Sequence, residues 1–469
     1  MSSTALYLYH RLPPPLKNLV ATAKGYQLKR WRFGPESERL VVTALKRDCW
    51  SEAQWHSYRE DRLARVLNRA ATQVPFYREQ WLQRRRHGDN SSWESLENWP
   101  ILEKEEVRRN PMAFVADDAD IRAMYHEHTS GTTGTSLSLW WSKRVVREWY
   151  ALFEARWRKW YGVDRSMNWA ILGGQLVTPV SQRKPPYWVW NGALKQLYMS
   201  SYHLSADRIQ DYLDALDRYE IEYIYCYTSS AYALALGAKK SSRPARRLKV
   251  VVTNAEPVFK YQRELISDVF DCPVRETYGM SEIVTAAGEC NHGRLHLWPE
   301  VGITEVACNN KFLEPGVTGD LICTGLLNED MPLIRYRVGD RGSLEISDET
   351  CACGRTLPVL EQIEGRIDDV LYTVDGRVIG RLDPVFKADL PVQEAQIVQE
   401  RLDLIRVRYV PGAGFTEADR HSIAARLRDR MGNVKIEFDE LPEVPRTAAG
   451  KFRAVINNMS AEELARIGR

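Results

Sequence analysis

Lys249-Val250-Val251-Val252-Thr253, followed at once by Asn254-Ala255-Glu256-Pro257, is the passage on which the architecture turns. A short apolar run rich in β-branched residues reads as a strand, and Asn254-Ala255 as the turn that ends it. Beyond the turn, Val258, Tyr261, Leu265 and Val269 recur at helical spacing, which predicts a helix with those four side chains inward. The same alternation recurs upstream. Trp169-Ala170-Ile171-Leu172 runs into Gly173-Gly174, and Ser205 stands where it would cap a helix carrying Ile209, Tyr212, Leu213 and Leu216 on one face. Strand alternating with helix predicts an α/β sheet protein.

Outward from this centre the pattern changes twice. Residues 1–125 are charged and helical in period, as in Arg62-Leu63-Ala64-Arg65-Val66-Leu67 before Val74-Pro75-Phe76-Tyr77, and form a helical lead-in. Near Gly365 a second, α+β unit begins. Asp375-Gly376 signals a hairpin, residues 405–410 a strand, and residues 434–438 another. Between those strands, Thr416-Glu417-Ala418-Asp419 opens a helix as a capping box with Asp in place of Glu.

Composition narrows the function classes. With 469 residues, 44% of them hydrophobic and 27% charged, the chain is neither disordered nor fibrous. A net charge of +3 is too balanced to attract a polyanion through bulk charge, so nucleic acid is not an expected partner. The most apolar stretch, residues 223–238, is interrupted by Thr228, Ser229 and Ser230 and falls short of the roughly 20 residues of a membrane span. Ala5-Leu6-Tyr7-Leu8-Tyr9 is too short for a secretory signal, and eight cysteines are too sparse for a disulfide scaffold. Both point to the cytoplasm.

The strongest local motif is Thr129-Ser130-Gly131-Thr132-Thr133-Gly134-Thr135-Ser136. Its glycines admit close backbone approach and its hydroxyls and amides supply donors, a cradle for phosphate; the alternative is a polar linker. No Gly-Lys-Ser or Gly-Lys-Thr follows, so it is not a Walker A loop. Further along, in fixed order, stand Asn254-Ala255-Glu256-Pro257, Tyr278-Gly279-Met280-Ser281-Glu282, Tyr336-Arg337-Val338-Gly339-Asp340-Arg341-Gly342, Glu364-Gly365-Arg366-Ile367-Asp368-Asp369 and Arg446-Thr447-Ala448-Ala449-Gly450-Lys451. Taken together, this series resembles the adenylate-forming superfamily, and within it the phenylacetate-CoA ligase and CapK-type branch. Trp99-Pro100-Ile101-Leu102-Glu103-Lys104 in the lead-in is similar to that branch too.

The resemblance implies a large ATP- and carboxylate-binding domain over residues 1–364, a hinge over 365–369 with Asp368 (or Asp369) as the pivot, and a small mobile domain over 370–469. It implies attack of a carboxylate on the α-phosphate of ATP, where catalysis is positioning and charge neutralisation. In that scheme Thr129, Ser130, Gly131, Thr132, Thr133 and Gly134 hold the β- and γ-phosphates. Glu282 holds Mg2+, while Tyr278, Gly279, Ala255 and Glu256 flank the adenine. Asp340 accepts from the ribose hydroxyls and Arg366 donates beside them. Lys451 reaches between the carboxylate and the α-phosphate. In isolation each of these charges would be an ordinary solvated one.

Cys351-Ala352-Cys353-Gly354-Arg355 has the form of a metal knuckle, and Cys290-Asn291-His292-Gly293-Arg294-Leu295-His296 supplies a third sulfur and two imidazoles. A Cys3His set suits structural Zn2+, with His296 the first choice for the nitrogen and His292 the second; relatives with such a zinc support the reading. A closed set of four ligands argues against a zinc enzyme. After Asp369 the chain follows CoA ligases only loosely, which leaves CoA, an amine or a sugar hydroxyl as the acyl acceptor. The acid is equally open, Trp140, Trp141, Trp188 and Trp190 being either pocket or packing. A non-catalytic nucleotide- or protein-binding relative in polysaccharide biosynthesis is the second functional class, and a dimer is compatible with either.

Overall fold

The computed structural model describes residues 8–128, 137–346 (except 174, 176, 180, 181, 205, 206 and 242), 350–366, 371–374, 378–379, 385, 390–446, 452–460 and 463. The lead-in is helical as expected: α1 (Pro14–Arg32), α2 (Ser37–Arg47), α3 (Glu52–Gln73), α4 (Pro75–Arg86) and α5 (Lys104–Arg109). Each start has a local cause. Ser51 and Gln54 form a reciprocal box at α3, with Ser51 N donating to Gln54 Oε1 at 2.9 Å and Gln54 N to Ser51 Oγ at 3.3 Å. Pro75 opens α4, where its missing N–H costs nothing.

After the short pair β1 (Tyr125–His128) and β2 (Ser138–Trp141) comes α6 (Lys143–Arg156). The main sheet is built from β3 (Trp169–Gly173), β4 (Trp188–Asn191), β5 (Gln196–Ser200), β6 (Tyr223–Tyr227), β7 (Val250–Asn254), β8 (Val274–Gly279), β9 (Ala286–Glu289), β10 (Leu295–Leu297), β11 (Gly302–Cys308), β12 (Lys311–Phe312), β13 (Gly319–Gly325), β14 (Tyr336–Leu344) and β15 (Val359–Arg366). Their spatial order is β12-β11-β13-β14-β15-β10-β9-β8-β7-β6-β3-β5-β4. Neighbours from β5 through β3, β6 and β7 to β8 are parallel; the flanks are antiparallel.

The parallel strands are buried on both faces, which is why they read as continuous apolar runs. Tyr223, Tyr225, Val250 and Val252 turn to one core with α6, while Ile224, Cys226 and Val251 turn to another. That second core is covered by α7 (Ile209–Arg218), α8 (Thr228–Lys240) and α9 (Lys260–Phe270). A Cβ on Gly237 of α8 would meet Ile209 Cδ1 of α7 at 2.6 Å, so glycine permits their approach.

Two local expectations need correction. Helix α7 starts after Arg208 with no side-chain cap, and Ser205 lies outside the described residues; its face of Ile209, Tyr212, Leu213 and Leu216 is buried as expected. In α9 the most buried positions are Gln262, Ile266 and Phe270, one residue round from Tyr261, Leu265 and Val269, which with Val258 pack at the core's margin. The four tryptophans are packing: Trp140 and Trp141 are buried, Trp188 and Trp190 lie against the second core.

The C-terminal residues pair β16 (Leu371–Tyr372) with β17 (Val378–Ile379), around the expected Asp375-Gly376 turn, which lies outside the described residues. A four-stranded sheet follows, β18 (Val392–Arg401), β19 (Leu404–Pro411), β20 (Lys435–Glu440) and β21 (Val455–Asn457), in the order β20-β19-β18-β21. Helix α10 (Glu417–Met431) begins at Thr416, whose N and Oγ1 both donate to Asp419 Oδ2, at 2.8 and 2.7 Å. Ile397, Ile405, Val407, Ile423 and Leu427 form this unit's own core. Among the described residues no helix is long and apolar enough to cross a membrane.

Candidate active site

In an open α/β sheet, ligands collect beyond the carboxyl ends of the parallel strands. The ends of β6, β7 and β8 carry Thr228-Ser229, Asn254-Ala255-Glu256 and Tyr278-Gly279. Ala255 is held at φ +60, a left-handed conformation that costs a non-glycine residue energy and turns the chain sharply after β7. That turn sends Glu256 inward. Its carboxylate is buried, accepts from Ser229 N at 2.7 Å and from Ser229 Oγ at 3.0 Å, and accepts from the backbone N of Phe452 at 2.7 Å. Burial raises its pKa against the pull of the Ser229 and Phe452 amides. Phe452 follows Lys451, so Glu256 tethers the C-terminal segment to the strand ends.

Tyr278 donates its hydroxyl to Asp340 Oδ2 at 2.8 Å, linking β8 to β14. Burial, then the Asp340 charge, lifts the Tyr278 pKa well above its ordinary value, so it stays a donor. Asp340 lies opposite Arg366 in the β14–β15 ladder, which brings the two backbone positions together. Glu282, three residues past β8, is buried; its Oε1 accepts from Lys104 Nζ at 2.9 Å and from Tyr336 OH at 3.0 Å. Both bonds go to one carboxylate oxygen, and among the described residues the other accepts no hydrogen bond, which suits a hard cation; Mg2+ characteristically takes one or two carboxylate oxygens beside phosphate and water. The donor set fits.

The structure therefore gathers Ala255, Glu256, Tyr278, Gly279, Glu282 and Asp340 at one end of the sheet, with Arg366 in register beside Asp340. The phosphate-loop residues 129–134, the hinge Asp368 with Asp369, and Lys451 lie outside the described residues. Three participants were not assigned from sequence: Ser229, Lys104 and Tyr336. Ser229 belongs to the hydroxyl triplet that interrupts the apolar stretch 223–238, where β6 gives way to α8. Lys104 ends the Trp99–Lys104 stretch, but nothing in that stretch points to Glu282, 178 residues away.

The second cluster is compact. The ligand atoms of Cys290, His296, Cys351 and Cys353 all lie within 4.8 Å of one another. Cys290 and Cys351 sulfurs are 3.9 Å apart, and Cys353 Sγ is 3.4 Å from His296 Nε2. Ligands at Zn–S ~2.3 Å and Zn–N ~2.0 Å in tetrahedral array would stand about 3.8 and about 3.5 Å apart, so the site fits the ion. His296 Nδ1 lies 3.0 Å from the Leu357 carbonyl, an anchor that leaves Nε2 its lone pair. Of the two candidate imidazoles, His292 is exposed, and only its backbone N reaches the cluster, donating to Cys290 Sγ at 3.4 Å.

A family model for the CapK C-terminal domain matches residues 371–458. Protein CapK of Staphylococcus aureus is 25% identical over 467 residues, covering 97% of this chain and 99% of that protein. Phenylacetate-coenzyme A ligase of Thermus thermophilus is 26% identical over 471 residues, covering 91% and 99%. Among solved structures, 2-hydroxyisobutyryl-CoA ligase in its postadenylation state with 2-HIB-AMP has the same fold, with a TM-score of 0.66, 20% identity and coverage of 90% and 93%.

Proposed function

We propose, from the likeness of this chain to CapK and phenylacetate-CoA ligase along nearly its whole length and the match of residues 371–458 to the CapK C-terminal domain, that it is an adenylate-forming ligase that activates a carboxylic acid with ATP and passes the acyl group to a second substrate. A carboxylate oxygen attacks the α-phosphorus, the bond to the β-phosphate bridge breaks, and pyrophosphate leaves with acyl-AMP remaining. A thiol such as CoA, an amine or a sugar hydroxyl then attacks the acyl carbon and AMP departs. The observation that carries this reading is the 2.7 Å bond from Phe452 N to Glu256. It holds the segment next to Lys451 against the strand ends where the first half-reaction would occur.

In this reading residues 129–134 bind the β- and γ-phosphates and Asp340, oriented by Tyr278, accepts from the ribose. Arg366 donates beside Asp340, and Lys451 bridges the two negative groups as they approach. Mg2+ on Glu282 would offset phosphate charge, and Lys104 with Tyr336 holds that carboxylate in place. Rotation of residues 370–469 about Asp368 would exchange Lys451 for the acceptor. Zinc held by Cys290, His296, Cys351 and Cys353 would act as a structural clamp, because four protein ligands would leave no position for substrate.

The reading is tested by carboxylate-dependent exchange of labelled pyrophosphate into ATP over aryl, fatty, hydroxy and amino acids. Exchange with at least one acid, abolished in Lys451→Ala, is expected. If every acid leaves the wild type at the Lys451→Ala background, the proposal fails.

A further inference from the structure

Helix α1 lies along β4, the edge strand of the main sheet, and meets it through Asn18, Thr22 and Gly25. Asn18 Oδ1 accepts from Trp190 N at 2.9 Å, and Thr22 Oγ1 accepts from Gly192 N at 3.0 Å. Gly25 is buried against Asn191, where a Cβ would come within 2.1 Å of Asn191 Oδ1. The helix thus blunts an open sheet edge with side-chain acceptors. Trp31 packs against the main core and Leu28 is half-buried, but four apolar side chains point away from β4: Leu16 is 46% exposed, Leu19 64%, Val20 41% and Tyr26 60%. Surface helices ordinarily bury such a face.

The charge of this segment is one-sided, with Lys24, Lys29 and Arg30 exposed, Lys17 buried and Arg32 over the Tyr150 ring. Residues 1–35 contain Arg11, Lys17, Lys24, Lys29, Arg30 and Arg32 and no acidic residue, although the whole chain is only +3. Lys24, Lys29 and Arg30 enter no ion pair among the described residues. A second copy of the chain seated on this face by a two-fold axis would set these cations against their own duplicates. A lipid surface has the opposite properties: it accepts leucine, valine and tyrosine side chains without a shaped pocket, and its phosphates pair with lysine and arginine.

We infer that the outward face of α1, centred on Leu16, Leu19 and Tyr26, docks the protein on an anionic bilayer. The helix lies in the headgroup plane and does not span. This inference is independent of the acyl-transfer chemistry.

Full-length protein is floated with vesicles of phosphatidylcholine alone or mixed with phosphatidylglycerol, while light scattering gives its mass in solution. Binding to the anionic vesicles should exceed binding to neutral ones by about tenfold or more and fall with added salt. The pair Leu19→Ser and Tyr26→Ser, at exposed positions, should cut it about tenfold with an unchanged melting midpoint. Lys24→Gln with Arg30→Gln should remove the preference for anionic lipid. Absence of vesicle binding, equal binding to both vesicle types, or full binding by the Leu19/Tyr26 variant overturns the inference. So does a dimer that the Leu19/Tyr26 substitutions dissociate, which would assign the face to a second copy.

Discussion

Glu276, on β8, faces Glu289 across the turn of chain that carries the site, and Arg263 serves both, with Nη1 3.0 Å from Glu289 and Nη2 3.9 Å from Glu276. Burial, then the Glu289 charge, pushes the Glu276 pKa up to about 7. A raised acid pKa means that the folded state holds the proton more tightly than the unfolded one. Its contribution is complete below an unfolded pKa of about 4.5 and is lost as pH rises through about 7, by at most about 2 kcal/mol for this half-buried group. Glu276→Gln should therefore melt like the wild type at acid pH and higher at alkaline pH; parallel melting curves at both would contradict the assignment. Lys104 invites a different test. Lys104→Met leaves Glu282 with Tyr336 alone and should reduce pyrophosphate exchange about 10- to 100-fold, the worth of one charge-assisted bond in a buried setting. An unchanged rate would separate Glu282 from the chemistry.

The knuckle around Cys351 and Cys353 is short, yet its neighbours anchor it from far away. Thr356 N donates to the Asp48 carbonyl at 2.9 Å, and the Arg355 guanidinium lies 4.0 Å from the Trp160 ring centre. The cluster thereby joins β10, the loop before β15 and the end of α2. Protein purified without a histidine tag should contain about one zinc per chain, and chelation or Cys353→Ser should lower the melting midpoint. His292→Ala should retain the metal and His296→Ala should lose it, since only His296 Nε2 faces the sulfurs. Retention by His296→Ala would refute the ligand set.

Across the whole molecule, the helical lead-in is bound to the sheet by a charge cluster in the core. Arg156 of α6 is fully buried; it donates to Asp48 Oδ1 at 2.9 Å and to both oxygens of Glu300, at 2.8 and 3.0 Å, while Trp160 Nε1 donates to Asp48 Oδ2 at 2.7 Å. Arg156→Ala would leave two buried carboxylates with only Arg47 and Arg355, each 3.8 Å away, in place of a hydrogen-bonded cation, at a cost of about 3–5 kcal/mol. Denaturant unfolding measures this, and a loss below about 1 kcal/mol would show the cluster to be solvated. These three side chains lie far apart in the chain and carry no periodic signal, unlike the features that could be read locally. The valines of β7, the helical period of residues 1–125 and the Thr416–Asp419 box are legible in sequence because a strand, a helix and a cap each depend on residues within a few positions of one another. Likewise, Asn254-Ala255-Glu256-Pro257 and Tyr278-Gly279 are recognisable as motifs because each is contiguous. The sequence by itself therefore determined the α/β class, the helical lead-in and the contiguous motifs that the fold gathers at the strand ends. Only tertiary structure decided that Glu256 holds Phe452, that Lys104 meets Glu282, that His296 and not His292 faces the sulfurs, and that α1 turns its apolar side outward. Each of these depends on which distant surfaces the packed chain brings within hydrogen-bond range, and no short window of residues encodes that.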